Sequence, residues 1–146
     1  MWNSRKVSDY LKGIYKWKEG KVGEQKISSM LDRLQNNDGE IFSWIDHIFM
    51  SDVYIVGLGL DYSEIDLWWL LDRRQRMLRG DGVMKQNKIV YFLIKDSKEL
   101  QPQEKAKVGL LDRLGVQCRF TSITPTNSKE YMLAYQEIVD MIAKEF

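Results

Sequence analysis

The chain has 146 residues, which fits one domain with a sizeable apolar core and leaves no room for two full ones. Its 22 Lys and Arg against 21 Asp and Glu leave a net charge of +1, which removes any whole-chain electrostatic case for nucleic acid or an anionic membrane as partner. With 44 % hydrophobic and 29 % charged residues the composition is that of a globular chain, and two prolines among 146 residues favour long helices over a many-turned β-sandwich.

Residues 3–17 carry Val7, Tyr10, Leu11, Ile14, Tyr15 and Trp17 at spacings of three and four, which predicts an amphipathic helix. Gly20 and Gly23 interrupt the pattern. Ile27, Met30, Leu31 and Leu34 restart it as a second short helix, before Asn36-Asn37-Asp38-Gly39 supplies a turn. A third helix is expected over residues 40–50, where Ile41, Phe42, Trp44, Ile45, Ile48 and Phe49 make a large apolar face. His47 is the only histidine, and it has no second group beside it that would define a catalytic base, so it is read as a packed or surface residue.

Beyond this point the pattern changes. Val53-Tyr54-Ile55-Val56 is β-branched and aromatic and ends at Gly57-Leu58-Gly59, Lys88 to Ile94 is apolar on both faces, and residues 116–121 alternate. Three strands separated by helical stretches at 63–79 and 102–114, with a last helix at 128–145, predict an α/β fold. We expect a three-layer, Rossmann-like half with a short parallel sheet of about three strands and an N-terminal helical extension. Residues 1–39 form the extension and 40–146 the α/β module, within one compact domain. The triplet Leu-Asp-Arg recurs at 31–33, 71–73 and 111–113, but its surroundings do not, and it reads as ordinary late-helix sequence.

The strand-to-helix turn at 55–71 carries the most information. Glycines at the carboxyl end of a strand allow close approach of a ligand to the main chain, and that edge is where open α/β sheets bind ligands. Ser63 and Asp66 have capping-box spacing, so the helix is expected to start at Ser63. Asp61, Glu64 and Asp66 crowd its positive end, whereas Arg73, Arg74, Arg76 and Arg79 form a solvated group at its negative end. A phosphate would meet those carboxylates, so the turn suits sugar hydroxyls better than pyrophosphate. The third glycine of a G-x-G-x-x-G motif would fall at Tyr62, so the dinucleotide fingerprint is incomplete. Thr121, Ser122, Thr124, Thr126 and Asn127 place a hydroxyl-rich loop after the third strand, on the same edge.

The segment Ser43-Trp44-Ile45-Asp46, followed by Val53 to Leu60 and by Ser63-Glu64-Ile65-Asp66-Leu67-Trp68-Trp69-Leu70-Leu71, resembles the C-terminal part of bacterial sirtuin-like domains, found largely in phage-defence and uncharacterised proteins. The resemblance spans residues 40–146 and is specific only over 44–71. It implies that Gly57 and Gly59 lie beside the NAD ribose, and the hydroxyl loop on the same edge adds the expectation that Asp61, Ser63 and Ser122 line one side of a site for NAD or ADP-ribose with them. Leu58 and Gly59 stand where sirtuins carry hydroxyl residues, and Lys95 and Asp96 where an Asn often follows. The family's Gly-Ala-Gly loop, its Asn-Tyr-Asp type segment and its catalytic His have no counterpart in this chain. We therefore expect no catalytic residue and no metal site, and NAD cleavage only if a missing N-terminal half completes the domain. The lone Cys118 excludes an internal disulfide and fits a reducing cytoplasm. No signal peptide and no membrane span are visible. A second possibility is an oligomer interface built from Trp2, Trp17, Trp44 and the apolar face at 41–49. Trp68 and Trp69 are expected to pack in different directions, and Cys118 to be inert.

Overall fold

The computed structural model describes residues 4–13, 16–17, 25–26, 28–80, 87–95, 99–122 and 128–145. The fold is mixed α/β. Its elements in order are α1 (Ser4–Leu11), β1 (Lys16–Trp17), β2 (Gln25–Lys26), α2 (Met30–Gln35), α3 (Trp44–Met50), β3 (Val53–Val56), a 3-10 turn (Tyr62–Glu64), α4 (Ile65–Gly80), β4 (Ile89–Lys95), α5 (Pro102–Arg113), β5 (Gln117–Ser122) and α6 (Ser128–Ala143). The chain falls into two compact units, one of residues 1–52 with 60–87, the other of residues 53–59 with 88–146.

The first unit is helical. Val7, Tyr10 and Leu11 of α1, Met30 of α2, Ile45, Ile48 and Phe49 of α3, Leu60 before the 3-10 turn, and Leu70 and Leu71 of α4 are among its buried apolar residues. The expected helix through Trp17 is shorter than its periodicity. It ends at Leu11, Gly13 takes the left-handed backbone (φ 70°) that glycine accepts without a Cβ penalty, and Lys16–Trp17 pairs antiparallel with Gln25–Lys26. Ile14, Tyr15, Gly20, Gly23 and Ile27 lie outside the described residues, as does Trp2.

The core of this unit also holds charge. Asp46 is fully buried and accepts four hydrogen bonds: from Arg33 Nη1 (3.0 Å), Tyr10 Oη (2.7 Å), and the backbone N–H of Phe42 (2.7 Å) and Ser43 (3.0 Å). The last of these completes a capping box at the start of α3. Arg33 also donates to the Glu40 carbonyl and stacks its guanidinium 4.8 Å from the centre of the Phe42 ring. Burial, followed by the bond to the Asp46 carboxylate, pushes the Tyr10 phenol well above its ordinary range. Arg33 lies in the last turn of α2, as its triplet suggested, but departs from an ordinary helix end in being buried. Arg74 is the second departure: it was expected in a solvated group, yet it is buried, donating Nε to Asn87 Oδ1 (3.0 Å) and Nη2 to the Asn87 carbonyl (2.5 Å). Arg73, Arg76 and Arg79 are exposed, as expected of that group.

The second unit contains a three-stranded, all-parallel sheet in the order β3-β4-β5, the sequential order of one half of a doubly wound sheet. Val90 and Phe92 alternate onto one face, where they cluster with Ile138, Met141 and Ile142 of α6 and with Tyr54 and Val56 of β3. Lys95 lies on the opposite face by the same alternation and pairs with Glu104 of α5. A helix therefore serves each face of this sheet.

The far end of α6 is pinned by charge. Glu145 accepts from Lys88 Nζ and Arg119 Nη1, and from Tyr54 Oη at 3.0 Å. These donors hold its carboxyl below the ordinary 4.5, at about 2, with the Lys88 bond the largest cause. A carboxyl lowered on folding contributes stability that is present above its ordinary pKa and lost as pH falls through the folded value. The expected result is that the protein loses more stability than its Glu145→Gln variant between pH 4.5 and 2, measured by urea denaturation across that interval.

Candidate functional site at the carboxyl edge of the sheet

β3 ends in Gly57, whose φ of +72° places it in the left-handed region. A Cβ added there would lie 3.0 Å from the Tyr135 hydroxyl oxygen of α6 and 3.6 Å from its ring carbon Cε1. Conformation favours glycine here, and any side chain would also require the Tyr135 phenol to give way. Gly57→Ala is expected to cost about 1–2 kcal/mol from the backbone alone, with more added wherever the Tyr135 phenol cannot shift; thermal denaturation measures the loss.

The carbonyls of the turn are held from below and from the side. Tyr91 of β4 donates its hydroxyl to the Leu58 carbonyl (3.0 Å), and Lys107 of α5 donates Nζ to the Gly59 carbonyl (2.5 Å). The turn is thus fixed by residues of three other elements, β4, α5 and α6.

At the end of β4, Lys95 donates to the Glu99 carbonyl (3.0 Å) and pairs with Glu104, whose carboxylate also accepts from the Gln101 N–H (2.7 Å) at the start of α5. The Lys95 bond, then the backbone bond, holds the Glu104 carboxyl below its usual range. The positive end of α5 is therefore filled by the chain's own carboxylate, where a phosphate would otherwise bind. The expectation of a poor phosphate cradle rested on α4, and there too a carboxylate occupies the helix start.

That start differs in detail from the expected one. The cap is Asp61 with Glu64 and not Ser63 with Asp66: Glu64 accepts from the Asp61 N–H (2.7 Å), a 3-10 turn spans Tyr62–Glu64, and α4 follows from Ile65. The Ser63 hydroxyl donates to Glu64 at 2.7 Å and so is spent on the neighbouring side chain. Two overlapping S/D-x-x-E/D signatures compete here, and the one with the longer glutamate reaches the backbone.

Of the five residues expected to line the site, Gly57 and Gly59 lie in the turn after β3, and Ser122 lies at the end of β5, in register with Lys95. These three share the carboxyl edge of one sheet. Asp61 and Ser63 belong to the other unit and are engaged with Glu64. Thr121 is buried at the end of β5, whereas Thr124, Pro125, Thr126 and Asn127 lie outside the described residues. The edge also contains Tyr91, Lys107 and Tyr135, which sequence reasoning did not single out, and Lys95, which it named only as a departure from the sirtuin pattern.

Other groups with chemical potential are committed. The Cys118 thiol, half-buried on β5, is pushed up by burial and then by Asp112, which makes it a weak nucleophile. His47 is exposed, with Nδ1 2.9 Å from Ser51 Oγ. Trp68 and Trp69 are both half-buried. Of the apolar face at 41–49, Ile45, Ile48 and Phe49 are buried, leaving Ile41 and Trp44 exposed. Among the described residues no group of three His, Cys, Asp or Glu is placed to hold a metal ion, and no helix is long and apolar enough to cross a membrane. Compared with protein-family models, with curated proteins and with solved structures, the chain matches none.

Proposed function

We propose that the chain is a non-catalytic, sirtuin-like nucleotide-binding module that keeps one side of a site for NAD or ADP-ribose. The observation that carries this reading is the Gly57 turn: a glycine held at positive φ, at the carboxyl edge of a parallel sheet, with the Tyr135 phenol laid against it. Such a turn lets a sugar approach the backbone closely, and an aromatic hydroxyl beside it offers both a donor and an acceptor to ribose hydroxyls. The carboxylate at the start of α5 favours the nucleoside part of the ligand over its phosphates. The diphosphate then falls to a second half of the site, which the sirtuin resemblance assigns to an N-terminal catalytic partner in a bacterial, phage-defence-type setting. The single Cys118 suits a cytoplasmic protein of that kind.

Titration calorimetry with NAD and ADP-ribose tests the reading. A half-site is expected to bind with a dissociation constant of about 1 mM, worth about 4 kcal/mol, and Gly57→Val is expected to abolish the heat while the circular dichroism spectrum is retained. No heat at millimolar ligand overturns the binding claim, and NAD loss above a buffer control overturns its non-catalytic part.

A further inference from the structure

α6 has two apolar stripes, of which its unit buries one and leaves most of the other exposed. Ala134 and Ile138 are buried, with Met141 and Ile142 packed beside Ile138 against the sheet. Met132, Tyr135 and Val139 follow one another at spacings of three and four, the spacing of a helix–helix seam, and Met132 is 73 % and Val139 56 % exposed. Contiguous apolar surface of this kind marks a partner site.

We infer that this stripe is a homodimer seam, in which α6 packs antiparallel against the α6 of a second copy. The charges along its margin select that occupant. Lys129 stands near the N-terminal end, Gln136 in the middle and Asp140 toward the C-terminal end, with Gln136 Nε2 donating to Asp140 Oδ1 (2.9 Å). A margin that is basic at its start and acidic toward its end complements a reversed copy of itself. An antiparallel pair brings each Lys129 within a helical turn of the partner's Asp140 and opposes the two helix dipoles. A parallel pair puts the two margins on opposite sides of the seam, so that this pairing is lost, and it aligns the dipoles. The two-fold axis then passes near Tyr135 and sets each Met132 against the other Val139. The seam shares Tyr135 with the nucleotide reading, and light scattering without nucleotide tests the seam apart from it.

Multi-angle light scattering and sedimentation equilibrium, from micromolar to millimolar protein, are expected to show a monomer–dimer equilibrium. Met132→Glu and Val139→Lys are each expected to weaken it by about tenfold or more, with unchanged circular dichroism and thermal midpoints because both side chains are exposed. Lys129→Glu and Asp140→Lys should each weaken it, and the double variant should restore it, which a role in the fold of one copy would not produce. A monomer at every concentration, a dimer indifferent to Met132→Glu, or a charge-reversed pair that fails to restore association each overturns the proposal.

Discussion

Asp46→Ala is expected to destabilise the protein by about 3–5 kcal/mol, the cost of leaving a buried charge without its partner. The carboxylate is fully buried, Arg33 beside it is 2 % exposed, and four donors converge on it. Removing it strands the guanidinium, the Tyr10 hydroxyl and the first N–H groups of α3 together. Tyr10→Phe removes one donor and is expected to cost about 1 kcal/mol. The double variant Arg33→Met with Asp46→Leu should recover part of the Asp46→Ala loss, because it removes both charges and refills the space. Urea denaturation of the four proteins separates these outcomes. Equal losses for Asp46→Ala and Tyr10→Phe would show that the ion pair is not what holds this part of the core.

Asn87→Ala carries the second large effect. Its Nδ2 donates to the carbonyls of Ile48 (3.1 Å) and Ser51 (2.5 Å) at the end of α3, and its Oδ1 accepts from Arg74 Nε. Truncation leaves two carbonyls and a buried guanidinium nitrogen short of partners, at an expected cost of about 2–4 kcal/mol. Arg74 Nη1 already has no hydrogen-bond partner among the described residues, so its remaining bonds bear more of its desolvation. Thermal denaturation that places Asn87→Ala within about 0.5 kcal/mol of the parent, the range of an ordinary surface change, would contradict this.

The strands were legible because Val53-Tyr54-Ile55-Val56 and Ile89 to Ile94 are apolar on both faces, a pattern that belongs to a parallel sheet covered from two sides. The glycine turn was legible as well, since its chemistry is local. Arg74 could have been read as buried: it follows Leu70 and Leu71 at helical spacing and so lies on their face. Arg33 could not, because its partner Asp46 is thirteen residues away and only folding joins them. Tyr135, Tyr91 and Lys107 escaped for the same reason. Each reaches the turn from another element, and no spacing in the chain announces a contact across a sheet. Helix ends failed where two signals competed, as at Trp17, where apolar periodicity ran through a glycine that the backbone obeyed.

The turn after β3 is assembled from pieces of chain made at very different times. Its glycines are synthesised before α4, Tyr91 comes a helix later, Lys107 later still, and Tyr135 comes with α6. A nascent chain on the ribosome therefore has the loop but neither its anchors nor its aromatic wall. On the proposed function, ligand affinity should appear only once α6 has left the exit tunnel.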